Sequence, residues 1–389
     1  MTTTATRKRA STQRQTKSAV RHHVNPKHAL PGQVVLVLQG GGALGAFQVG
    51  AYQSLHDAGI EPDWVIGTSI GAINGAIIAG NPPEHRLERL HAFWEGVQQQ
   101  AGDGLPAFFA TFGHALANLS TVMRGVPTFF TPMQSGMLGT HARVGIEKAA
   151  YYSTAPLRDT LNELVDFDYL NSRHTRLTVG AVNAATGEMR YFDSRDETLG
   201  VEHIMASGAL PPAFPAVRID GEPYWDGGIF SNTPIEAVLD DKPRRDSLIF
   251  TVNLWNPDGP EPESLWEVMG REKDIQYASR ARSHIARQKQ IHHLRHIIRE
   301  LSKQVPEKAG RSELVRELAS WGCGTLMHVV PLVSPPREGE DQLKDIDFTP
   351  AGIRTRMHAG IAETQRLLDL APWRHPVDPM EGVIVHENL

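Results

Sequence analysis

The chain is nearly without cysteine. Cys323 is its one thiol in 389 residues, so no internal disulfide and no cysteine-based metal cluster can form. A small packed residue is the expectation for it. Long apolar runs are missing too. No stretch reaches the ~18–20 consecutive apolar residues of a membrane-spanning helix, and residues 1–30 lack the run of ~7–15 apolar residues that marks a secretory leader. Eighteen histidines are present, yet none forms an H-E-x-x-H metal pair. Residues 1–30 also lack any Asp or Glu. These absences point to a soluble, cytoplasmic protein without structural staples or an internal repeat, and leave peripheral contact with a membrane open.

What is present is a globular composition, 40 % apolar and 21 % charged, long enough for one large domain or two ordinary ones. The net charge of −5 is unevenly spread: residues 1–30 carry seven Lys/Arg, which leaves the remainder at −12. A basic start rich in Thr, Ser and Gln cannot bury enough apolar surface to offset chain entropy, so residues 1–31 are expected as a disordered arm. Such an arm is a solvated tail or a contact for anionic lipid or nucleic acid.

Beyond the arm, "QVVLVLQGGG" (33–42) reads as a buried parallel strand ending in glycines. A helix over 46–59, a strand over 63–69 and helices over 70–80 and 83–97 follow, an alternation that implies a parallel sheet flanked by helices. Residues 101–140 form an irregular apolar insertion with Phe108, Phe109, Phe112, Phe129 and Phe130 among Gly and Pro. These rings suit core packing, a lid or a membrane-docking patch. A helix over 155–166, a hairpin over 176–194, a helix over 200–210, a strand over 222–228, a helix over 233–241 and a strand over 247–255 come next. From 264 to 303 the character changes to a basic helix, whose stripe from Ala278, Ala281 and Ile285 to Ile291, Leu294, Ile298 and Leu301 suits packing on its own domain or docking on anionic membrane. A strand over 325–333 and a helix over 349–370 close the pattern.

Within this frame "GTSIG" (67–71) stands between a strand and a helix. Gly67 and Gly71 let the chain reverse sharply around Ser69, and the hydroxyl then stands exposed at the carboxyl edge of the sheet beside a helix N-terminus. A plain tight turn is the alternative. A nucleophile needs donors for an oxyanion, and "GGGALG" (40–45) offers consecutive unobstructed backbone N–H groups after a strand. Gly40, Gly42 and Gly45 also spell the dinucleotide fingerprint G-x-G-x-x-G. That fingerprint wants an acid at the end of the next strand, whereas Asp63 precedes its strand and Thr68 and Ser69 occupy the far end. Hydroxyls there suit acyl transfer. For the base, His203, His284, His292, His293, His296 and His328 lie in settings that single none of them out. Asp226 of "YWDGG" ends a strand, and Gly227 and Gly228 permit a turn that leaves its carboxylate at the sheet's carboxyl edge. It serves as a proton acceptor for Ser69 or as an Asp-Gly turn that bonds its own backbone, and spacing alone does not choose.

Taken in order, "GGGALGAFQVG", "GTSIGAINGA", "ASGALPPAFPAV" and "DGGIFSNTP" resemble the patatin-like phospholipase family over about residues 33–255. The resemblance implies a three-layer α/β/α fold with a mainly parallel central sheet, and a lipid acyl hydrolase with a Ser–Asp dyad and no catalytic histidine. On this match Ser69 is the nucleophile, Asp226 the base, and the backbone of Gly40, Gly41 and Gly42 the oxyanion hole, with Gly67, Gly71, Gly227 and Gly228 shaping the turns. No metal or organic cofactor is implied. The expected partner is a lipid or small ester, with no nucleic acid. Where the family commonly has Arg or Lys after "GGGx", this chain has Leu44. The basic helix and the ending "DFTPAGIRTRMHAGIAETQ" resemble a C-terminal extension of a bacterial subset. The expected organisation is an arm (1–31), a catalytic domain (32–255), a helical extension packed on it (256–375) and a tail (376–389). The rival readings are an esterase, thioesterase or polyester hydrolase acting on other substrates, and a non-catalytic lipid- or nucleic-acid-binding protein that keeps the fold.

Overall fold

The computed structural model describes residues 30–98, 125–134, 141–306, 312–336, 342–378 and 380–387. The first 29 residues of the basic arm and Phe108, Phe109 and Phe112 lie outside them. In chain order the strands are β1 (Gln33–Leu38), β2 (Trp64–Gly67), β3 (Thr131–Pro132), β4 (Tyr152–Ser153), β5 (Arg176–Asn183), β6 (Met189–Asp193), β7 (Val217–Ile219), β8 (Glu222–Asp226), β9 (Ser247–Asn253), β10 (Met327–Val333) and β11 (Val383–Val385). The α-helices are α1 (Ala46–Asp57), α2 (Ile70–Ala79), α3 (Pro83–Gly96), α4 (Ala155–Leu164), α5 (Phe167–Asn171), α6 (Val201–Ser207), α7 (Glu236–Leu239), α8 (Leu265–Lys303), α9 (Glu313–Ser320) and α10 (Pro350–Leu370).

Among the described residues nine strands form one sheet in the order β11-β10-β9-β1-β2-β5-β8-β7, with β6 on β5. Pairing is parallel from β11 through to β5. Alternate residues of β1 enter two separate apolar cores. Val34, Leu36 and Leu38 face α1, α2 and α3, while Val35 and Val37 face Ile235, Val238 and Leu239 around α7. Helices thus cover both faces, and that double burial is why β1 reads as an unbroken apolar run. Helix α2 is buried along its whole length, so its residues, the hydrogen-bonded Asn74 apart, are apolar all round rather than amphipathic.

The sheet does not stop at residue 255. Strand β10 pairs with β9, and β11, from the segment expected as a tail, pairs with β10. Helix α10 crosses α1 at backbone contact distance: a Cβ on Gly360 would lie 2.1 Å from the Phe47 carbonyl oxygen, and one on Gly50 would lie 1.9 Å from that of Met357. The C-terminal third therefore extends the sheet as well as adding helices to it.

Two helical expectations shift. The helix expected over 233–241 shortens to the single turn α7. On α8, capped by Ser264 with Glu267, the second half of the apolar stripe splits: Ile291 and Ile298 are half-buried and the two leucines face out. Leu294 and Leu301 are 58 % and 63 % exposed, whereas Gln288, His292 and His296 are buried. Polar side chains can take that face because each has a partner: Gln288 donates to Asp240 Oδ2, and the ring Nε2 atoms of His292 and His296 bond the carbonyls of Leu239 and Thr325.

Candidate active site

Strand direction corrects one step of the sequence argument. Strand β8 is antiparallel to β5, with Ala181 opposite Asp226, Val182 opposite Trp225 and Asn183 opposite Tyr224. Residues 178–179 of β5 pair with β2 and β6 together, and residues 181–182 pair with β6 and β8 together. A strand has two edges, so β6 holds one and β2 and β8 share the other. The ends of β2 and β8 consequently meet tip to tip. Gly67 lies opposite Val179 and Asp226 opposite Ala181, two positions apart, which at about 3.3 Å per residue is about 7 Å along β5. Asp226 reaches the carboxyl rim because β8 enters from beyond it and overlaps β5 only briefly.

Ser69 opens the turn at that meeting point. Its φ of 56° and ψ of −124° lie outside the regions open to ordinary residues, and the surroundings enforce them. A Cβ on Gly67 would stand 2.3 Å from the Gly71 carbonyl oxygen, and one on Gly71 2.2 Å from that of Leu38. The Ser69 N–H is held by the carbonyl oxygen of Ser207, at 3.1 Å. Such an over-determined elbow pushes a side chain out of the backbone and into the space in front of it.

That space is a cavity of ≈ 190 Å³ lined by Ser69, Asp226, Gly228 and the glycines 40–42, with Phe129, Phe130 and Phe214 among the apolar residues of its wall. Asp226 is 1 % exposed. Burial pushes its carboxyl up to about 7, against hydrogen bonds from the Ser69 hydroxyl and the Gly228 N–H that pull it down; the latter measures 2.7 Å. Gly227 is tight against the Gly180 carbonyl oxygen, 2.4 Å from where its Cβ would be. Among the described residues no histidine lines the cavity. His203 packs edge-on against Phe192, and burial, the largest influence on it, lowers its pKa.

The loop after β1 forms the third side. Gly42 takes φ +53°, and a Cβ there would lie 2.3 Å from the Asp345 carbonyl oxygen. Gly40 N–H donates to the Asn232 carbonyl at 3.1 Å, and Leu44 N–H closes the turn onto Gly41 at 3.1 Å. The amides of Gly41 and Gly42 have no protein acceptor among the described residues. Asp63 has a different task at the opposite end of the strands, where its carboxylate accepts from the Val34 N–H at 2.9 Å. Phe129 and Phe130 are 7 % and 5 % exposed and pack on Phe214, so they serve the core and the cavity wall together.

Several contributors carry no sequence signal of their own. Gln39 reaches across to Leu254, Trp255 and Thr233. A buried amide relay runs from Trp94 through Asn74 and Gln48 to the Gln39 carbonyl. Tyr277, Asp345 and Phe348 bring the C-terminal third to the cavity. The cavity opens where the connections leaving β1 and β9 diverge to opposite sides of the sheet, the usual ligand crevice of open α/β sheets.

A family profile described as patatin-like phospholipase matches residues 36–239, just over half of the chain. The chain belongs to the patatin-like phospholipase family. A second profile, described as Patatin phospholipase, matches residues 275–380, the region that supplies Tyr277, Asp345 and Phe348. Lysophospholipase NTE1 of Candida glabrata is 27 % identical over 251 residues, 62 % of this chain and 12 % of its own length. A patatin-like phospholipase domain-containing protein of Caenorhabditis elegans, ZK370.4, is 46 % identical over 59 residues, 15 % of this chain and 4 % of its own. The chain thus spans a small part of the curated relatives it matches. Among solved structures, VipD from Legionella pneumophila is similar at 15 % identity and a TM-score of 0.38, over 88 % of this chain and 67 % of that one.

Proposed function

We propose that this patatin-like phospholipase hydrolyses carboxylic esters of lipids through a Ser69–Asp226 dyad. The observation that carries the reading is a buried Asp226, poised near neutrality under the influence of the Ser69 hydroxyl, with both side chains at the head of one apolar cavity. Asp226 takes the Ser69 proton as Oγ attacks the ester carbonyl carbon and the carbonyl electrons move onto oxygen. The amides of Gly41 and Gly42 donate to that oxyanion, each such donor being worth about 3–4 kcal/mol in comparable sites. The tetrahedral species collapses, the C–O bond to the alcohol breaks, and the alkoxide leaves with the proton from Asp226. Water then repeats the sequence on the acyl-enzyme, with Asp226 again as base, and releases the fatty acid. The aromatic wall accounts for an acyl chain by apolar burial alone. Among the described residues no helix is long and apolar enough to cross a membrane.

The test is hydrolysis of p-nitrophenyl acyl esters and of lysophospholipid. Ser69→Ala should lose at least ~10³-fold in kcat and Asp226→Asn at least ~10²-fold, both with unchanged folding by circular dichroism. Turnover that persists in Ser69→Ala ends the reading.

A further inference from the structure

Two side chains that make no hydrogen bond to Ser69 or Asp226 converge on one backbone atom. The Gly40 carbonyl oxygen accepts the Trp255 indole N–H at 2.8 Å and the Asn232 side-chain amide at 3.1 Å. Trp255 is 2 % exposed and Asn232 7 %. The peptide joining Gly40 to Gly41 is planar and trans, so its C=O and N–H point in opposite directions. Whatever fixes the Gly40 carbonyl therefore aims the Gly41 N–H. A Gly-Gly peptide is where such fixing matters most, since with no Cβ on either side the plane turns over at little steric cost. A turned peptide would present a carbonyl oxygen to the developing oxyanion in place of a donor.

We propose that Trp255 and Asn232 are positioning residues that clamp the Gly40 carbonyl and hold the Gly41 amide toward the oxyanion. The inference rests on the hydrolase reading above and deepens it. The clamp is itself braced. The backbone N–H of Trp255 donates to Gln39 Oε1 at 3.0 Å. The indole stacks on Tyr277 of α8 with centroids 4.9 Å apart, and the Lys344 ammonium lies 5.4 Å from its ring centre. Asn232 is fixed by its own backbone, whose carbonyl takes the Gly40 N–H. The C-terminal third thus reaches the oxyanion loop through this indole ring as well as through Asp345 against Gly42. A merely structural tryptophan would fill space, and its nitrogen would not matter. A clamp needs the N–H.

The experiment compares wild type, Trp255→Phe and a chain carrying 3-benzothienylalanine at 255, whose ring keeps the indole shape with sulfur in place of the N–H. Both should lower kcat on p-nitrophenyl esters about 10-fold, a fraction of what losing a whole oxyanion donor costs, and leave KM within about 2-fold. Affinity for an alkyl trifluoromethyl ketone, which adds to the serine as a tetrahedral oxyanion, should fall by the same factor as kcat. Asn232→Leu should act in the same direction. If Trp255→Phe fails to fold, the benzothienyl chain decides. Unchanged kcat and unchanged ketone affinity in the benzothienyl chain, with an active Ser69-dependent wild type, overturn the clamp and leave the hydrolase reading standing. A folded wild type that neither hydrolyses ester nor binds the ketone at Ser69 overturns both.

Discussion

At the scale of single residues, the proposed chemistry turns on one carboxyl group. Asp226 is surrounded by protein, and desolvation raises its pKa from 3.8 to about 7. A base works only when deprotonated. With the folded-state pKa near 7, the active fraction falls about tenfold per pH unit below it and levels off above it. The kcat/KM profile on an uncharged p-nitrophenyl ester should therefore show one acid limb with a midpoint near 7. Asp226→Glu, if it retains turnover, should move the midpoint and keep the limb. A profile flat from pH 5 to 8 would remove Asp226 from the base role. Ser69 and Asp226 are legible in the sequence because each sits in a short local pattern, an elbow between strand and helix or a strand ending in two glycines. Gln39, Asn232 and Trp255 were not legible as a group. Asn232 and Trp255 meet Gly40 across 192 and 215 positions of chain, and no local pattern marks a contact made only by the fold.

Elements show the same division. Strand β1, helix α1, strand β2 and helix α2 announce themselves through apolar periodicity and glycine stops. The direction of β8 is silent in sequence, since an antiparallel strand of this length carries the same residues as a parallel one. Strand β11 has three residues, too few to set a period. The segment that covers Gly42 belongs to this hidden class. Residues Lys344–Ile346 form one helical turn, tied to α8 by two crossed pairs: Lys273 to Asp345 at 2.9 Å and Lys344 to Asp274 at 2.6 Å. Lys344 and Asp274 are 12 % and 17 % exposed, so solvent screens them poorly. Removing one partner strands a charge, while removing both does not. Lys344→Met should destabilise by about 1–3 kcal/mol, and Lys344→Met with Asp274→Asn by less. Thermal melts of the three chains check the order. A double variant less stable than the single would show that the pair, rather than the orphaned charge, dominates.

Across the whole molecule, the far edge of the sheet answers acid in the opposite sense to the active site. His328 on β10 and His386, one residue past β11, stack with ring planes 6° apart and nitrogens 3.0 Å from one another. Burial, then the neighbouring His328 and His375, lowers His386 to about 4, and burial lowers His328 against the pull of Asp246. His292 on the buried face of α8 is lowered by burial as well. For a histidine whose folded pKa lies below the unfolded 6.5, the unfolded chain binds protons first. The stability of the neutral form is thus fully present above pH 6.5 and drains as pH falls toward 4. Asp226 runs the other way: its raised pKa makes the folded chain the better proton binder between 3.8 and about 7, so it gains on acidification. Several histidines outnumber one aspartate, and the net expectation is a melting temperature that falls from pH 7 to pH 4.5. His386→Gln removes the histidine that burial lowers to about 4, and its melting temperature should decline less steeply over that window than that of wild type. Because β11 is the outermost strand, held to β10 through Met327, His328 and Val329, amide exchange at 383–385 should also accelerate on acidification before the central strands β1 and β9 respond. Equal slopes for the two chains, with no early exchange at β11, would place the acid sensitivity elsewhere in the fold.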